Sequence, residues 1–297
     1  MTKPSCAVIR FRGYDPDVSM VEVVPLSGEF ASTDDIIAVI RSLDSSLALV
    51  LMSGVHFYNG SRADMESITR IAHEYGAAVG FDLAHAIGNV ELHLHDWDVD
   101  FAVWCSYKYL NGGPGAPSFT WVAPSLVERA EQPLRGWLGH RDPFAFDQAF
   151  DPAPGIRRFV TGTQQVLSLA ALHEALAIWE GISMRDVRAK SVAQTSFFIR
   201  RVEESCAGAG LALVSPRESD ERGGHVSFSH PDGYAIMQAL IAHGVIGDFR
   251  APDILRFGFS PLYLAFGEID RAVEILAEIL RSRSWDRPAF ARRRTVT

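Results

Sequence analysis

Apolar positions in the first half of the chain follow an alternating pattern of strands and helices. The run "LALVLMS" (47–53) is continuously apolar, which is typical of a strand buried on both faces of a parallel sheet. In "SRADMESITRIAHEYG" (61–76), apolar residues recur at helical spacing and a glycine ends the segment, which predicts a helix. Two further short strands are predicted at "AAVGFD" (77–82) and "VDFAVWC" (99–105). This order predicts right-handed crossovers and a parallel or mixed sheet.

After residue 116 the pattern becomes irregular, and a segment rich in Gly, Pro and aromatic residues (133–159) is expected to be functional or to form an interface. The segment "QQVLSLAALHEALAIWEGI" (164–182) then predicts a well-buried helix. Ser183 and Asp186 form a capping-box pattern that opens the next helix.

Shorter elements fill the last third of the chain. Strands are predicted at "LALVSP", "GGHVSFSH" and "ILRFGFS", and helices at "GYAIMQALIAHG" and "GEIDRAVEILAEIL". We therefore expect a large domain over 1–184, and a connector helix with a small α/β domain over 185–284. The basic residues 285–297 are expected to form a solvated, disordered tail.

Composition limits the classes of function. With 47% hydrophobic and 22% charged residues the chain is expected to be globular, and its formal net charge of −8 argues against nucleic-acid binding. Its three cysteines are far apart and form no CxxC pair, which suits a reducing cytoplasm. The apolar runs are too short for a signal peptide or a membrane span. We expect a cytoplasmic protein that binds a small molecule.

Polar residues follow three of the predicted strands. Ser53 ends the first, Asp82 ends the second, and Tyr107 and Lys108 come shortly after the third. Each has a structural explanation by itself: a turn, a helix cap, or a surface lysine. In parallel α/β sheets, however, the carboxyl ends of the strands meet at one edge, where ligands bind.

This combination of residues suits one cofactor. A carboxylate, a histidine three residues later (Asp82 and His85) and a lysine at a strand end are the groups that pyridoxal 5′-phosphate (PLP) requires. Its ring nitrogen needs an anionic partner, and its aldehyde needs a lysine amine. A buried lysine is costly unless it is paired or neutral, which fits an amine that reacts.

Several motifs together resemble the kynureninase family. They are "SGVHFYNG", "GFDLAHAIGNVELHLHDWDVDFAVWCSYKYLNGGPGAP" and "RGWLGH", and the resemblance extends from about residue 20 to about residue 280. It implies a fold-type-I PLP enzyme, with a mostly parallel sheet in the large domain and a small C-terminal α/β domain. It also implies hydrolysis of L-kynurenine to anthranilate and L-alanine by a homodimer.

The resemblance also implies a role for each matched residue. Lys108 corresponds to the lysine that attaches PLP, Asp82 to the partner of the ring nitrogen, and Tyr107 to a phosphate contact that also supplies a proton. The remaining cofactor contacts it implies are Ser53, His85, Trp137 and Thr163, the last two donated by the partner subunit.

For the substrate, Arg256 of "ILRFGFSPLY" corresponds to the arginine that binds the α-carboxylate, since a guanidinium fork suits a carboxylate. Gly162 and Thr163 stand where related enzymes distinguish kynurenine from its 3-hydroxy form. Their small, neutral character favours plain kynurenine.

The family pattern also differs from this chain. Roughly a hundred residues of the family's large domain precede the matched part, so sheet and helix surface is expected to be exposed here. The chain is then either a kynureninase whose remaining part lies elsewhere, or a relative that binds PLP weakly and has little or no activity.

Two other interpretations are less favoured. A PLP lyase of the cysteine desulfurase type needs a mobile cysteine, and none occurs in the segment before "ILRFGFS". The cluster His93, His95, Asp96 and Asp98 has metal-ligand chemistry but lies within the family motif, so we expect no metal site.

Overall fold

Two four-stranded sheets organise residues 4–25 and 30–292, the part of the chain that this computed structural model describes. The first sheet has the strand order β1-β2-β3-β4. Its strands are β1 (Leu49–Ser53), β2 (Ala78–Asp82), β3 (Phe101–Cys105) and β4 (Ser118–Val122). Strands β1, β2 and β3 run parallel, and β4 is antiparallel to β3. The sheet is therefore mixed, as predicted, although β4 lies in the part expected to be irregular.

Six α-helices lie before residue 184 in the described part of the chain. They are α1 (Pro4–Phe11), α2 (Pro16–Ser19), α3 (Thr33–Leu43), α4 (Met65–Glu74), α5 (Pro124–Val127) and α6 (Val166–Ala177). Two of them, α3 and α4, share a core cluster with this sheet, in which Ile36 of α3 and Ile68 of α4 lie with Phe81 of β2. The α4 helix starts where Asp64 accepts a hydrogen bond from the Ser67 amide (3.1 Å). It ends before Gly76, which has a φ of +78° and confirms the predicted terminator.

The opposite face of the sheet is open, which corrects the prediction that β1 is buried on both faces. Leu51 is 55% exposed, and Leu49 and Val103 beside it are exposed as well. The α6 helix is also less buried than its composition indicated, with Leu167 88% exposed. Both segments thus expose apolar side chains, and no other element within residues 4–25 and 30–292 covers them.

The second sheet is antiparallel, and we call this sheet together with the helices around it the small unit. The elements are α7 (Met184–Ser205), β5 (Ala212–Leu213), β6 (His225–Ser229), α8 (Gly233–Ala242), β7 (Asp248–Arg250), β8 (Ile254–Gly258), α9 (Phe266–Ser282) and α10 (Pro288–Ala291). The strand order is β5-β6-β8-β7. Phe198 of α7, Leu240 of α8 and Leu276 of α9 pack against Phe228 and Leu255 of the sheet.

Two local predictions for this part are corrected. Ser183 does precede α7, but its side chain makes no capping hydrogen bond, and the Asp186 carboxylate lies 3.8 Å from the Arg185 Nε instead. The expected disordered tail is ordered up to residue 292. Trp285 is buried with its ring against His230, and α10 follows it. Residues 293–297 lie outside the described part of the chain.

Candidate active site

The carboxyl ends of β1, β2 and β3 bring the predicted polar residues to one edge of the first sheet. Ser53 and Asp82 are direct register partners, and Asp82 pairs with Val103 on the other side. Lys108 follows three residues after the end of β3. These residues therefore lie at one edge of the sheet, as their positions at strand ends predicted, and their roles stay predictions.

A tight turn holds Lys108 close to this edge. The Gly112 amide donates to the Ser106 carbonyl (2.9 Å), and the Asn111 amide donates to the Lys108 carbonyl (3.0 Å). Asn111 has a φ of +60° and Gly113 one of +77°, so "NGG" supplies the left-handed conformations that the reversal needs. The chain turns back into β4 without carrying Lys108 away from the strand ends.

The Lys108 amine contacts His85. The distance between Lys108 Nζ and His85 Nε2 is 2.9 Å. Burial is the largest cause that lowers the pKa of Lys108, and the positive charge of Arg256 also lowers it, against the opposing effect of Asp82. A lowered pKa increases the fraction of neutral, nucleophilic amine near neutral pH.

His85 is neutral in this environment. Burial, followed by the charges of Lys108 and Arg256, lowers its pKa to about 3. Its imidazole can therefore accept a hydrogen bond from the Lys108 ammonium at neutral pH without adding a second positive charge.

Asp82 and Tyr107 complete the large-domain part of the site. The Asp82 carboxylate is exposed, and its Oδ1 accepts a hydrogen bond from the Ala84 amide (2.8 Å), which fixes the side chain at the strand end. A hydrogen bond with the Cys105 thiol is the main cause that raises the pKa of Tyr107. Tyr107 is thus a protonated phenol at neutral pH, with its ring centroid 5.7 Å from Lys108 Nζ.

Arg256 reaches the same site from β8 of the small unit. Its Nη1 donates to the Phe57 carbonyl, which lies in the segment after β1, and its Nη2 donates to Asp248 Oδ2. Arg250 Nη2 donates to the same Asp248 oxygen (2.6 Å). The guanidinium of Arg256 thus joins the two parts of the protein beside Lys108.

Trp137, Gly162 and Thr163 are not hydrogen-bonded to the residues at the sheet edge within the described part of the chain. Trp137 begins a short 3₁₀ helix, and its ring packs edge-on against Phe144 with centroids 5.7 Å apart. Thr163 is exposed. Within 4–25 and 30–292, neither side chain hydrogen-bonds to Lys108 or Asp82, so the expected contribution of a partner subunit stays a prediction.

One buried residue beside the site was not singled out by its sequence pattern. His225 begins β6, and its ring centroid lies 5.4 Å from that of His85. In "GGHVSFSH" the alternation predicts only a strand, and a histidine at an inward position gives no further signal. Asp248 was missed for a similar reason, because "GDFR" is too short to predict β7.

The histidine and aspartate cluster near residue 95 forms surface contacts. His93 Nδ1 lies 3.8 Å from Asp96 Oδ2, and His95 Nδ1 lies 3.5 Å from Asp96 Oδ1. In the described part of the chain, no group of three or more His, Cys, Asp or Glu side chains is arranged to hold a metal ion. No helix there is long and apolar enough to cross a membrane.

Sequence comparison relates the chain to kynureninases. Residues 187–276 match the family described as Kynureninase C-terminal domain. A kynureninase of Pseudomonas fluorescens is 46% identical over 257 residues, covering 86% of this chain and 62% of the relative. One of Burkholderia mallei (strain SAVP1) is 47% identical over 270 residues, covering 91% of this chain and 65% of the relative. The chain thus spans a little under two thirds of the length of these curated relatives.

Structural comparison supports the fold. A cysteine desulfurase of Thermococcus onnurineus NA1 has a TM-score of 0.69 at 18% identity, covering 84% of this chain and 63% of that one. An alanine–glyoxylate aminotransferase of Nostoc sp. has a TM-score of 0.62 at 19% identity, with coverages of 88% and 66%. A C-DES mutant with glycine covalently linked to its PLP cofactor has a TM-score of 0.71 at 18% identity, with coverages of 82% and 63%. The expected α/β fold of fold-type-I PLP enzymes is confirmed.

Proposed function

We propose that this chain, which belongs to the kynureninase family, takes part in the PLP-dependent hydrolysis of L-kynurenine to anthranilate and L-alanine. The proposal rests on the identity of 46–47% to kynureninases and on the residues gathered at the sheet edge. The observation that carries it is the contact between the Lys108 amine and the neutral His85 at the ends of β2 and β3. A lysine there has its pKa lowered by burial, as a cofactor-binding amine requires.

The side chains at this edge fit PLP chemically. Asp82 offers an exposed carboxylate for a protonated ring nitrogen, and Lys108 offers an amine for covalent attachment. Ser53 and Tyr107 add hydroxyl groups beside them. His85 stands between the lysine and the small unit. Under this proposal Trp137 and Thr163 of the second subunit of a cytoplasmic homodimer complete the phosphate contacts.

When bound, PLP would supply an electron sink that stabilises negative charge at the substrate α-carbon. With the substrate bound in place of the lysine attachment, Lys108 Nζ would be free to act as the base at that carbon, which its lowered pKa favours. Tyr107 Oη keeps its proton at neutral pH and donates it near the side-chain ketone. Overall, hydrolysis would break the bond between the β- and γ-carbons, with the hydroxyl of water bonded to the γ-carbon as part of the anthranilate carboxyl group and a proton bonded to the β-carbon to give L-alanine.

Arg256 binds the α-carboxylate of the substrate in this proposal. Its guanidinium has five N–H donors, and the Phe57 and Asp248 contacts use one hydrogen each of Nη1 and Nη2. The remaining hydrogens are enough for a carboxylate. Gly162 and Thr163 carry small, neutral groups that suit kynurenine rather than its 3-hydroxy form, provided that they reach the site from the second subunit.

The test combines cofactor titration with a product assay. The full chain is titrated with PLP while its visible absorbance is followed, and L-kynurenine is then added while anthranilate fluorescence is recorded. We expect absorbance from bound PLP and release of anthranilate, both lost in Lys108→Ala with the far-ultraviolet circular dichroism unchanged.

The outcome also separates the two interpretations of the sequence. PLP absorbance without anthranilate release would favour a relative that retains the cofactor lysine without the activity. Full activity in Lys108→Ala would contradict the proposal.

A further inference from the structure

His225 is a buried histidine whose ring has no hydrogen-bond partner among the described residues. It is 2% exposed, and neither its Nδ1 nor its Nε2 is hydrogen-bonded in the described part of the chain. Burial is the largest cause that lowers its pKa well below the usual value, so the ring is neutral. Buried polar groups are nearly always paired, so this ring is unusual in that packing, and not hydrogen bonding, supplies its contacts.

The ring of His225 fits closely between two parts of the large domain. On one side, a Cβ atom added to Gly60 would lie 3.1 Å from His225 Nε2 and 2.8 Å from its carbonyl oxygen. The Gly223 amide donates to the Gly60 carbonyl (2.8 Å), which ties the two segments together. On the other side, the ring packs edge-on against His85 at an interplanar angle of 61°. The His225 ring therefore has little room between Gly60 and His85.

The contact with Lys108 requires one particular state of His85. Besides Lys108, the groups whose positive charges act on His85 are Arg256, Arg250 and His56, and each lowers its pKa further. A neutral imidazole that meets an ammonium group at Nε2 must accept there, so its proton is on Nδ1. A freely rotating histidine would exchange between orientations and tautomers.

We propose that His225 is a positioning residue, whose ring holds the His85 imidazole by edge-on packing in the orientation and tautomer that accept a hydrogen bond from Lys108. The contact is made by ring atoms, since both nitrogens of His225 lack partners among the described residues. A strand of the small unit thereby controls the environment of the large-domain lysine. The inference rests on the proposed function only in taking Lys108 as the lysine that attaches PLP.

The experiment is ¹⁵N NMR of the histidine side chains in the full chain without PLP at about pH 6, where exposed imidazoles are largely protonated. The chain has 10 histidines, and His85→Gln assigns the His85 signal. We expect His85 as a single neutral tautomer with the proton on Nδ1. His225→Ala should convert it to an exchange average of the two tautomers, and Lys108→Met should do the same.

Two further variants complete the design. His225→Phe keeps an aromatic ring without nitrogens and should retain the wild-type His85 signal. His230→Phe is the matched control, because His230 follows the other end of β6 and its hydrogen bonds are to the Ala209 carbonyl and the Asp232 amide. It should leave the His85 signal unchanged.

A single unchanged His85 tautomer in His225→Ala would overturn the proposal, as would loss of the signal in His225→Phe. Should circular dichroism show that His225→Ala does not fold, His225→Leu, which keeps more of the volume, gives the same comparison. The measurement uses protein without PLP. A failure to bind PLP or hydrolyse kynurenine would therefore count against the proposed function and leave this test intact.

Discussion

Replacing Arg256 with lysine tests how the small unit binds a substrate carboxylate. The Arg256 side chain is 12% exposed and makes charge-assisted contacts with the Asp248 carboxylate and the Phe57 carbonyl. Lysine keeps the positive charge but has a single nitrogen, so it can reach one of these two acceptors while facing a ligand, and it cannot form a bidentate pair.

The expected losses of stability and of amino-acid binding in Arg256→Lys follow from the hydrogen bonds that the substitution removes. A hydrogen bond to a charged group contributes about 1.5–3 kcal/mol, so removing one should lower the free energy of unfolding by about that amount. We expect a loss of stability near the lower end of this range, because Asp248 Oδ2 still accepts a hydrogen bond from Arg250 Nη2 (2.6 Å). Without the fork to the ligand, amino-acid binding should weaken about 10- to 100-fold, which is about 1.4–2.8 kcal/mol.

The assay measures both effects in the same preparation. Urea unfolding gives the change in stability, and a titration of the PLP-loaded chain with L-kynurenine, followed by absorbance, gives the change in binding. Arg250→Lys is the matched control, because Arg250 bonds to the same Asp248 oxygen but its side chain is 43% exposed. It should weaken binding much less than Arg256→Lys. Equal binding by Arg256→Lys and wild type would refute the assignment of the carboxylate to Arg256.

Three further predictions concern stability. The pKa values of His85 and His225 are lowered in the folded state, so the unfolded chain binds more protons below about pH 6.5. Urea unfolding should therefore show that the free energy of unfolding falls as the pH is lowered, with each histidine contributing up to about 1.4 kcal/mol per pH unit. The variant His85→Gln should reduce that slope. Gly136→Ala should lower the melting temperature and disturb the segment 133–159, since the added Cβ would lie 1.6 Å from the Thr161 carbonyl oxygen. An unchanged melting temperature would contradict this close approach. Phe81→Ala should lower the free energy of unfolding by about 3–5 kcal/mol in urea unfolding, because Phe81 is 0% exposed; a decrease below about 1 kcal/mol would refute its place in the core.

The alternation of strands and helices predicted three of the four strands of the first sheet and missed β4. Residues of α4 such as Ile68 and Ala72 are fully buried, and periodicity alone indicated which face of the helix they share. Position at strand ends likewise brought Asp82 and Lys108 together, because that geometry follows from parallel pairing. What periodicity cannot give is whether a second layer covers a strand. Leu51 belongs to a continuous apolar run of the kind found in strands buried on both faces, and it is nevertheless exposed.

Contacts between distant segments could not be predicted from sequence. Ser183 has the residue type of a helix cap, but side-chain geometry decides whether the bond forms, and here it does not. The His85–His225 contact joins residues far apart in the chain that share no motif. The three-residue strand β7, which carries Asp248, is held by its pairing with β8 rather than by its own composition.

Mapping of the PLP attachment site tests the central claim most directly. The chain contains three lysines, Lys3, Lys108 and Lys190, so a single experiment compares every candidate. The full chain is incubated with PLP, reduced with borohydride, digested and examined by mass spectrometry. The account predicts that the reduced PLP adduct is on Lys108, while Lys190, whose Nζ donates to the Pro261 carbonyl (2.5 Å), is unmodified. An adduct spread over the three lysines, or an unmodified Lys108, would contradict it.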